Sequence, residues 1–162
     1  MNFSEDSIIQ RNHDEIISST RNPLVKRLRK LTTTKGREED QLILLEGTHL
    51  LEEALKTGFI PSKVLSTIDW QQSHINIFES LPKHTERIST TQAVLKAALT
   101  TKNPDGVATL FPLGSLPKAR QNEKFILALD RLQDPGNLGT IFRTALAADI
   151  EVIWLALGAD PL

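Results

Sequence analysis

Leu24, Leu28 and Leu31 recur at helical spacing behind Asn22-Pro23, which reads as an N-cap and first helical position. At about 100° per residue the leucines form one stripe; Lys26, Arg29 and Lys30 fall on the opposite face and Arg27 on the flank. Thr32-Thr33-Thr34 and Gly36 are expected to end this helix. Gln41 to Leu45 reads as a short buried strand. Gly47 and Thr48 open a helix with Leu50, Leu51, Ala54 and Leu55 inward and Gly58 at C′. Lys63 to Ser66, Ile75 to Phe78 and Val107 to Phe111 read as strands, and Thr91 as the cap of a helix through Ala98 with Val94, Leu95 and Ala98 apolar. This alternation predicts an α/β domain ending near Phe111.

Residues 1–18 lack strong periodicity and are expected to be a flexible N-terminus. Residues 19–111 form the first domain. Residues 112–122, with Pro112, Gly114, Ser115 and Pro117, read as a linker. Residues 123–162 begin a second domain. Phe125 to Leu129 is apolar on both faces, as a central parallel strand is. Leu132 to Gly139 reads as a loop, Thr140 to Ala148 as a helix and Glu151 to Leu157 as the next strand. Two strands and one helix in about 40 residues do not bury a stable core, so this second domain is expected to be truncated.

The chain has 162 residues, 40% hydrophobic and 24% charged, which excludes wholesale disorder, collagen and coiled coil. Its longest apolar stretch, Val152 to Leu157, is far shorter than the roughly 20 residues of a membrane span. Met1 to Asp14 is polar and carries Glu5, Asp6 and Asp14, unlike a signal peptide. Cysteine is absent, which excludes disulfides, thiolate metal sites and a cysteine nucleophile, and fits a cytoplasmic location. His13, His49, His74 and His84 show no metal-ligand spacing, and no Ser/His/Asp arrangement stands out.

Charge is distributed unevenly. Seven cations (Arg21, Lys26, Arg27, Arg29, Lys30, Lys35 and Arg37) lie between positions 21 and 37 with no acidic residue among them, leaving a net charge of −8 elsewhere. A basic field on an otherwise acidic chain suits a polyanion; a solvated helix face is the equal alternative. Further along, a buried strand runs through Gln133-Asp-Pro-Gly-Asn-Leu-Gly-Thr-Ile-Phe-Arg-Thr-Ala145 into a helix. Ligands of open α/β sheets sit beyond strand carboxyl ends. Gly136 and Gly139 permit positive φ or close backbone approach, Asn137 carries donors and an acceptor, and Arg143, expected in the helix's first turns, can grip a phosphate. The spacing matches neither a dinucleotide fold nor a P-loop. The residues thus leave two readings, an anion-binding loop or a structural tight turn.

Gln133 to Ala145 resembles the first signature motif of the SpoU (TrmH-like) RNA ribose methyltransferases. Ser19 to Lys26, Leu45-Glu-Gly47 with the Glu53-Ala54-Leu55 helix, and Pro104-Asp-Gly-Val-Ala108 resemble the substrate-binding domain of the same family. The resemblance covers roughly residues 17 to 162. It implies a small ribosomal-protein-like RNA-binding α/β domain followed by an incomplete knotted (SPOUT-type) α/β methyltransferase domain. It implies methyl transfer from S-adenosylmethionine to a ribose 2′-hydroxyl, with rRNA as the expected substrate. Arg143 and Asn137 match the catalytic motif positions. Arg21, Lys26, Arg27, Arg29, Lys30 and Arg37 would help hold RNA. The family's two cofactor motifs lie after the segment present, so no cofactor-binding residue falls within this chain, which is expected to be inactive alone. A homodimer is expected of a full-length member. The alternative reading is a non-catalytic RNA-binding module; an anion-binding metabolic enzyme would need a completed phosphate motif and has none.

Overall fold

Asn22 ends its extended segment by accepting the Leu24 N–H on Oδ1 at 2.9 Å, and Pro23, with no N–H to satisfy, takes the first helical position of α1 (Pro23–Lys30). The computed structural model describes residues 16–116 and 124–156. The chain divides into two compact units, Met1–Ser115 and Leu116–Leu162.

In the first unit α1 is followed by α2 (Thr34–Asp40), β1 (Leu42–Glu46), α3 (Thr48–Lys56), β2 (Lys63–Ser66), α4 (Ile68–Ser73), α5 (Ile75–Ser80), β3 (Glu86–Ser89), α6 (Gln92–Ala98) and β4 (Val107–Pro112), then a 3-10 turn, Leu113–Ser115. The four strands form one sheet in the order β1-β4-β2-β3. β4 runs antiparallel to both neighbours, with Leu44 opposite Leu110 and Leu65 opposite Ala108; β2 and β3 are parallel. Successive strand side chains point to opposite faces. Leu65, Ala108 and Leu110 therefore join Val25, Leu28 and Leu31 of α1 and Val94, Leu95 and Ala98 of α6 in one core. Val64 and Val107 join Leu51 of α3, Trp70 of α4 and Leu81 in the other. Helices cover both faces of a mixed sheet, so the α/β expectation holds.

Several local expectations give way. α1 does end before Thr32, as expected, but a second helix follows at once: Thr33 caps α2, its Oγ1 accepting the Gly36 N–H at 3.1 Å. Gly36 is needed for close approach rather than for a stop, since a Cβ there would sit 1.9 Å from the Lys30 carbonyl oxygen. Ile75 to Phe78 is helical, not a strand; a short apolar run does not by itself distinguish the two periods. The strand at that place in the sheet is β3, whose Glu86 and Arg87 hide it from a hydrophobicity pattern. There Glu86 pairs with Lys63 across the parallel ladder, and Arg87 lies 4.9 Å from the Phe78 ring centroid. Leu51 of α3 is buried as expected but Leu50 is exposed, and Gly58 adopts the left-handed conformation past the end of α3. Ile17, within the expected flexible terminus, is tied to the edge of β3, donating its N–H to the Ser89 carbonyl and accepting from the Thr91 N–H. Residues 1–15 of the expected flexible terminus, and 117–123 of the expected linker, lie outside the described residues, while Pro112 completes β4.

The second unit contains β5 (Ile126–Leu129), α7 (Pro135–Ala147) and β6 (Val152–Leu155). β5 and β6 are parallel, with Ile126 opposite Val152 and Leu129 opposite Leu155. Leu138 and Ala145, seven positions apart, form the buried stripe of α7. Phe125, Ile126 and Trp154 remain exposed, unlike the doubly covered strand expected from the apolar run.

Candidate functional site

The cations of the basic segment have different surroundings. α1 docks through Val25 and Leu28, which turns Lys26, Arg27, Arg29 and Lys30 outward around a cavity of about 570 Å³, lined also by Pro23 and Asp40. Arg27 Nε reaches Asp40 Oδ2 at 2.6 Å. Lys30 Nζ lies 2.7 Å from Glu39 Oε2 and 3.1 Å from Asp40 Oδ1. The hydrogen bonds from Arg27 and then Lys30 hold the Asp40 carboxyl below the usual carboxylate range; those to Glu39 and Asp40 raise the Lys30 ammonium. Arg29 Nε donates to the Ala97 carbonyl, fastening α1 to the end of α6. Among the described residues, the side chains of Arg21 and Lys26 make no ion pair; Arg21 lies outside the cavity lining. The acidic run Glu38-Glu39-Asp40, directly after the basic segment, is the signal that these partners were available.

Arg37 does not belong to this surface. It is 5% exposed, and its guanidinium donates to the Leu31 carbonyl and to Thr34 Oγ1. The expectation that Arg37 holds RNA is corrected: its position on α2 turns it under the α1–α2 turn, where it donates to the Leu31 carbonyl and the Thr34 hydroxyl.

The Gln133–Ala145 segment is helical from Pro135 onward, so Gly136 and Gly139 lie in neither a loop nor a tight turn. Asp134 caps α7, accepting the Asn137 N–H at 2.6 Å, and the helix begins at Pro135, five residues earlier than expected. Gly136 and Gly139 are helical, neither has positive φ, and a Cβ on Gly139 would meet nothing within 4 Å. Asp134 itself takes a donor that an anion at this helix start would use. Asn137 is exposed in the first turn and its side-chain amide makes no hydrogen bond among the described residues. Arg143 is the ninth residue of α7, in the third turn rather than the first turns. It is exposed on the face away from Leu138 and Ala145. Six residues put it roughly 9 Å along the axis from Asn137 and about 120° around it, so α7 alone does not bring the two side chains together.

Two further stretches, Leu45-Glu-Gly47 and Pro104-Asp-Gly-Val-Ala108, meet where β1 pairs with β4. Glu46 Oε1 accepts the Thr100 N–H and hydroxyl and Oε2 accepts those of Thr101, at 2.6 to 3.0 Å. Burial alone would raise the Glu46 carboxyl, but these four bonds outweigh it and lower its pKa. Asp105 Oδ2 accepts the Thr48 N–H at 2.7 Å, capping α3 from a loop 57 positions away. Neither role is visible in the spacing of the two stretches. Among the described residues no group of three His, Asp or Glu is placed to hold a metal ion.

Residues 22–109 match the MRM3-like substrate binding domain. The chain belongs to this family. The MRM3-like match takes in α1 to α6, β1, β2 and β3, and the first three residues of β4. An uncharacterized tRNA/rRNA methyltransferase of Synechocystis is 44% identical over 147 residues, covering 86% of this chain and 52% of that protein. The Bacillus subtilis 23S rRNA (guanosine(2553)-2′-O)-methyltransferase RlmP is 34% identical over 144 residues, covering 88% and 54%. The crystal structure of AdoMet-bound rRNA methyltransferase from Sinorhizobium meliloti superposes with a TM-score of 0.70 at 30% identity, over 91% of this chain and 56% of that one. The chain spans about half the length of these relatives.

Proposed function

We propose that this chain is the RNA-recognising part of a SpoU-type methyltransferase that moves a methyl group from S-adenosylmethionine to a ribose 2′-hydroxyl of rRNA. The observation that carries the reading is the substrate-binding-domain match over residues 22–109, in a chain whose 34% identical relative is named a 23S rRNA 2′-O-methyltransferase. In this reading Arg21, Lys26, Arg27, Arg29 and Lys30 hold the RNA backbone. Clustered cations gain affinity by releasing counterions from phosphates. Arg143 holds the phosphate next to the reacting ribose and, as a fixed positive charge, favours ionisation of the 2′-hydroxyl. It does not take the proton itself, because a guanidinium stays protonated in proteins. Asn137 orders the same groups through its free amide.

S-adenosylmethionine would supply the methyl group. The described residues do not complete a site for it: with Phe125 and Trp154 exposed, β5, α7 and β6 make an open wall and not an enclosure. A homodimer of the longer protein and a cytoplasmic location belong to the same proposal. Among the described residues no helix is long and apolar enough to cross a membrane.

Fluorescence anisotropy with a 23S rRNA fragment tests the RNA half. Binding that weakens steeply with salt is expected, and absence of binding at low salt sinks the reading. Grafting residues 16–156 in place of the matching half of RlmP tests the catalytic half. The chimera should methylate 23S rRNA, and Arg143→Ala should abolish methylation with the circular dichroism spectrum unchanged. A fully active Arg143→Ala chimera removes Arg143 from the reaction.

A further inference from the structure

Among the described residues, three other than glycine take a positive φ: Gln41 at 52°, Arg131 at 53° and Asp149 at 56°. This conformation is unfavourable for any residue with a Cβ, and least so for asparagine and aspartate. Two of the three have local causes. Gln41 is the left-handed C-cap of α2, with its N–H on the Arg37 carbonyl. Asp149 follows the last turn of α7, where its N–H and that of Ile150 close on the Leu146 and Ala145 carbonyls. Arg131 has no such cause. No helix ends there, and its backbone makes no hydrogen bond to another described residue. Backbone strain of this kind gathers where a site uses it.

Its place and its surroundings indicate what it serves. Arg131 is the second residue beyond β5, which runs parallel to β6, and ligands of open parallel sheets sit beyond such carboxyl ends. From Phe125 to Phe142 it is the one lysine or arginine, and Asp130 and Asp134 flank it. Its side chain is 87% exposed. The ion contact it makes, from Nε to Asp130 Oδ2, is 3.9 Å long and reaches a side chain itself 75% exposed. A pair that long and that well solvated contributes little, so the guanidinium keeps its donors for another acceptor. Its planar fork of N–H groups matches the oxygens of a phosphate. Without this cation the strand end would present only the two aspartates, which repel an RNA strand. The loop of residues 130–134 joins β5 to the end of α7 that carries Asn137. Arg143, eight residues past Pro135, lies roughly 12 Å along the axis from that end.

We propose that Arg131 is a further substrate-holding residue: its guanidinium grips a phosphate of the RNA strand at the carboxyl end of β5, beside Asn137. The proposal rests on the RNA reading above and is tested separately from it. The probe is the same 23S rRNA fragment, titrated with the 162-residue chain by fluorescence anisotropy at several salt concentrations. Arg131→Gly relieves the backbone and removes the charge. Its thermal midpoint should equal or exceed that of wild type, because glycine takes this φ without strain. Its RNA affinity at low salt should fall about fivefold and its salt slope by about 0.7. Arg131→Ala keeps the unfavourable φ and should weaken binding equally. Arg131→Lys keeps the charge and should keep the slope. Unchanged affinity and slope in the glycine and alanine variants overturns the proposal while the RNA reading stands. A loss confined to the glycine variant makes the effect one of backbone freedom and also overturns it. In the RlmP chimera, Arg131→Gly should raise KM for RNA about tenfold and leave KM for S-adenosylmethionine unchanged. The opposite pattern assigns Arg131 to the cofactor and overturns the RNA contact. If the wild-type chain binds no RNA at low salt, both readings fall together.

Discussion

The Glu46 carboxylate, at the last residue of β1, receives both the backbone N–H and the hydroxyl of Thr101, at 2.9 and 2.6 Å, across 55 positions of sequence. Thr100 occupies the other carboxylate oxygen in the same way. The loop that carries Asp105 and Gly106 is thus anchored to the edge strand by one ionised side chain.

Glu46→Gln should lower stability by roughly 1–2 kcal/mol, since an amide replaces a charged acceptor of four bonds and one of its two ends cannot accept. The same group sets an acid limit. Its folded pKa lies below the usual 4.5, so its stabilisation is fully present above that value and is lost as pH falls through the lower folded value. Urea unfolding at pH 7 and in the range just below pH 4.5 should show wild type losing more stability than Glu46→Gln. Parallel losses would mean that the Thr100 and Thr101 bonds do not favour the ionised form.

Arg37→Ala should behave as a core substitution. Removing a buried guanidinium leaves the Leu31 carbonyl short of a donor, at a cost of about 1–3 kcal/mol. The salt dependence of RNA binding should not change, because Arg37 shows no surface to a phosphate. A reduced salt slope at unchanged stability would return Arg37 to the RNA-holding set.

Lys26 and Asp40 should move RNA affinity in opposite directions. Lys26→Ala removes an unpaired surface cation and should lower the salt slope by about 0.7 on a single strand. Asp40→Asn releases Arg27 and Lys30 from their shared carboxylate and should tighten binding at low salt. Titrations at two or more salt concentrations separate these effects; unchanged affinity in both variants would move the RNA contact away from α1.

Asp134→Ala removes the cap of α7 and should destabilise the second unit by about 1 kcal/mol. Amide exchange should quicken in α7 and not in the sheet of the first unit. Unchanged exchange at Asn137 and Leu138 would show that the cap bond contributes little in solution.

The amino-acid sequence by itself determined the elements whose signals are local. Asn22-Pro23 starts α1 by cap chemistry, while α6 and the strands at Lys63 to Ser66 and Val107 to Phe111 follow from apolar spacing, because both signals act within a few residues; Thr91 holds the cap position of α6 without a cap bond. Gln133 to Ala145, with Ser19 to Lys26, Leu45-Glu-Gly47 and Pro104 to Ala108, were sufficient to indicate the family, and the substrate-binding-domain match covers residues 22–109, short of Gln133. Tertiary structure decided what depends on partners distant in the chain. β3 is a strand because β2 supplies its ladder, despite Glu86 and Arg87. The basic segment becomes a surface with Lys26 open, Arg27 and Lys30 paired to Asp40, and Arg37 buried, because the α1–α2 turn and not the charge count orients each side chain. Thr90 and Thr91 are unremarkable in the sequence. Their hydroxyls end buried and without a hydrogen-bond partner only after β3 packs into the fold, since burial and the lack of a partner are properties of packing.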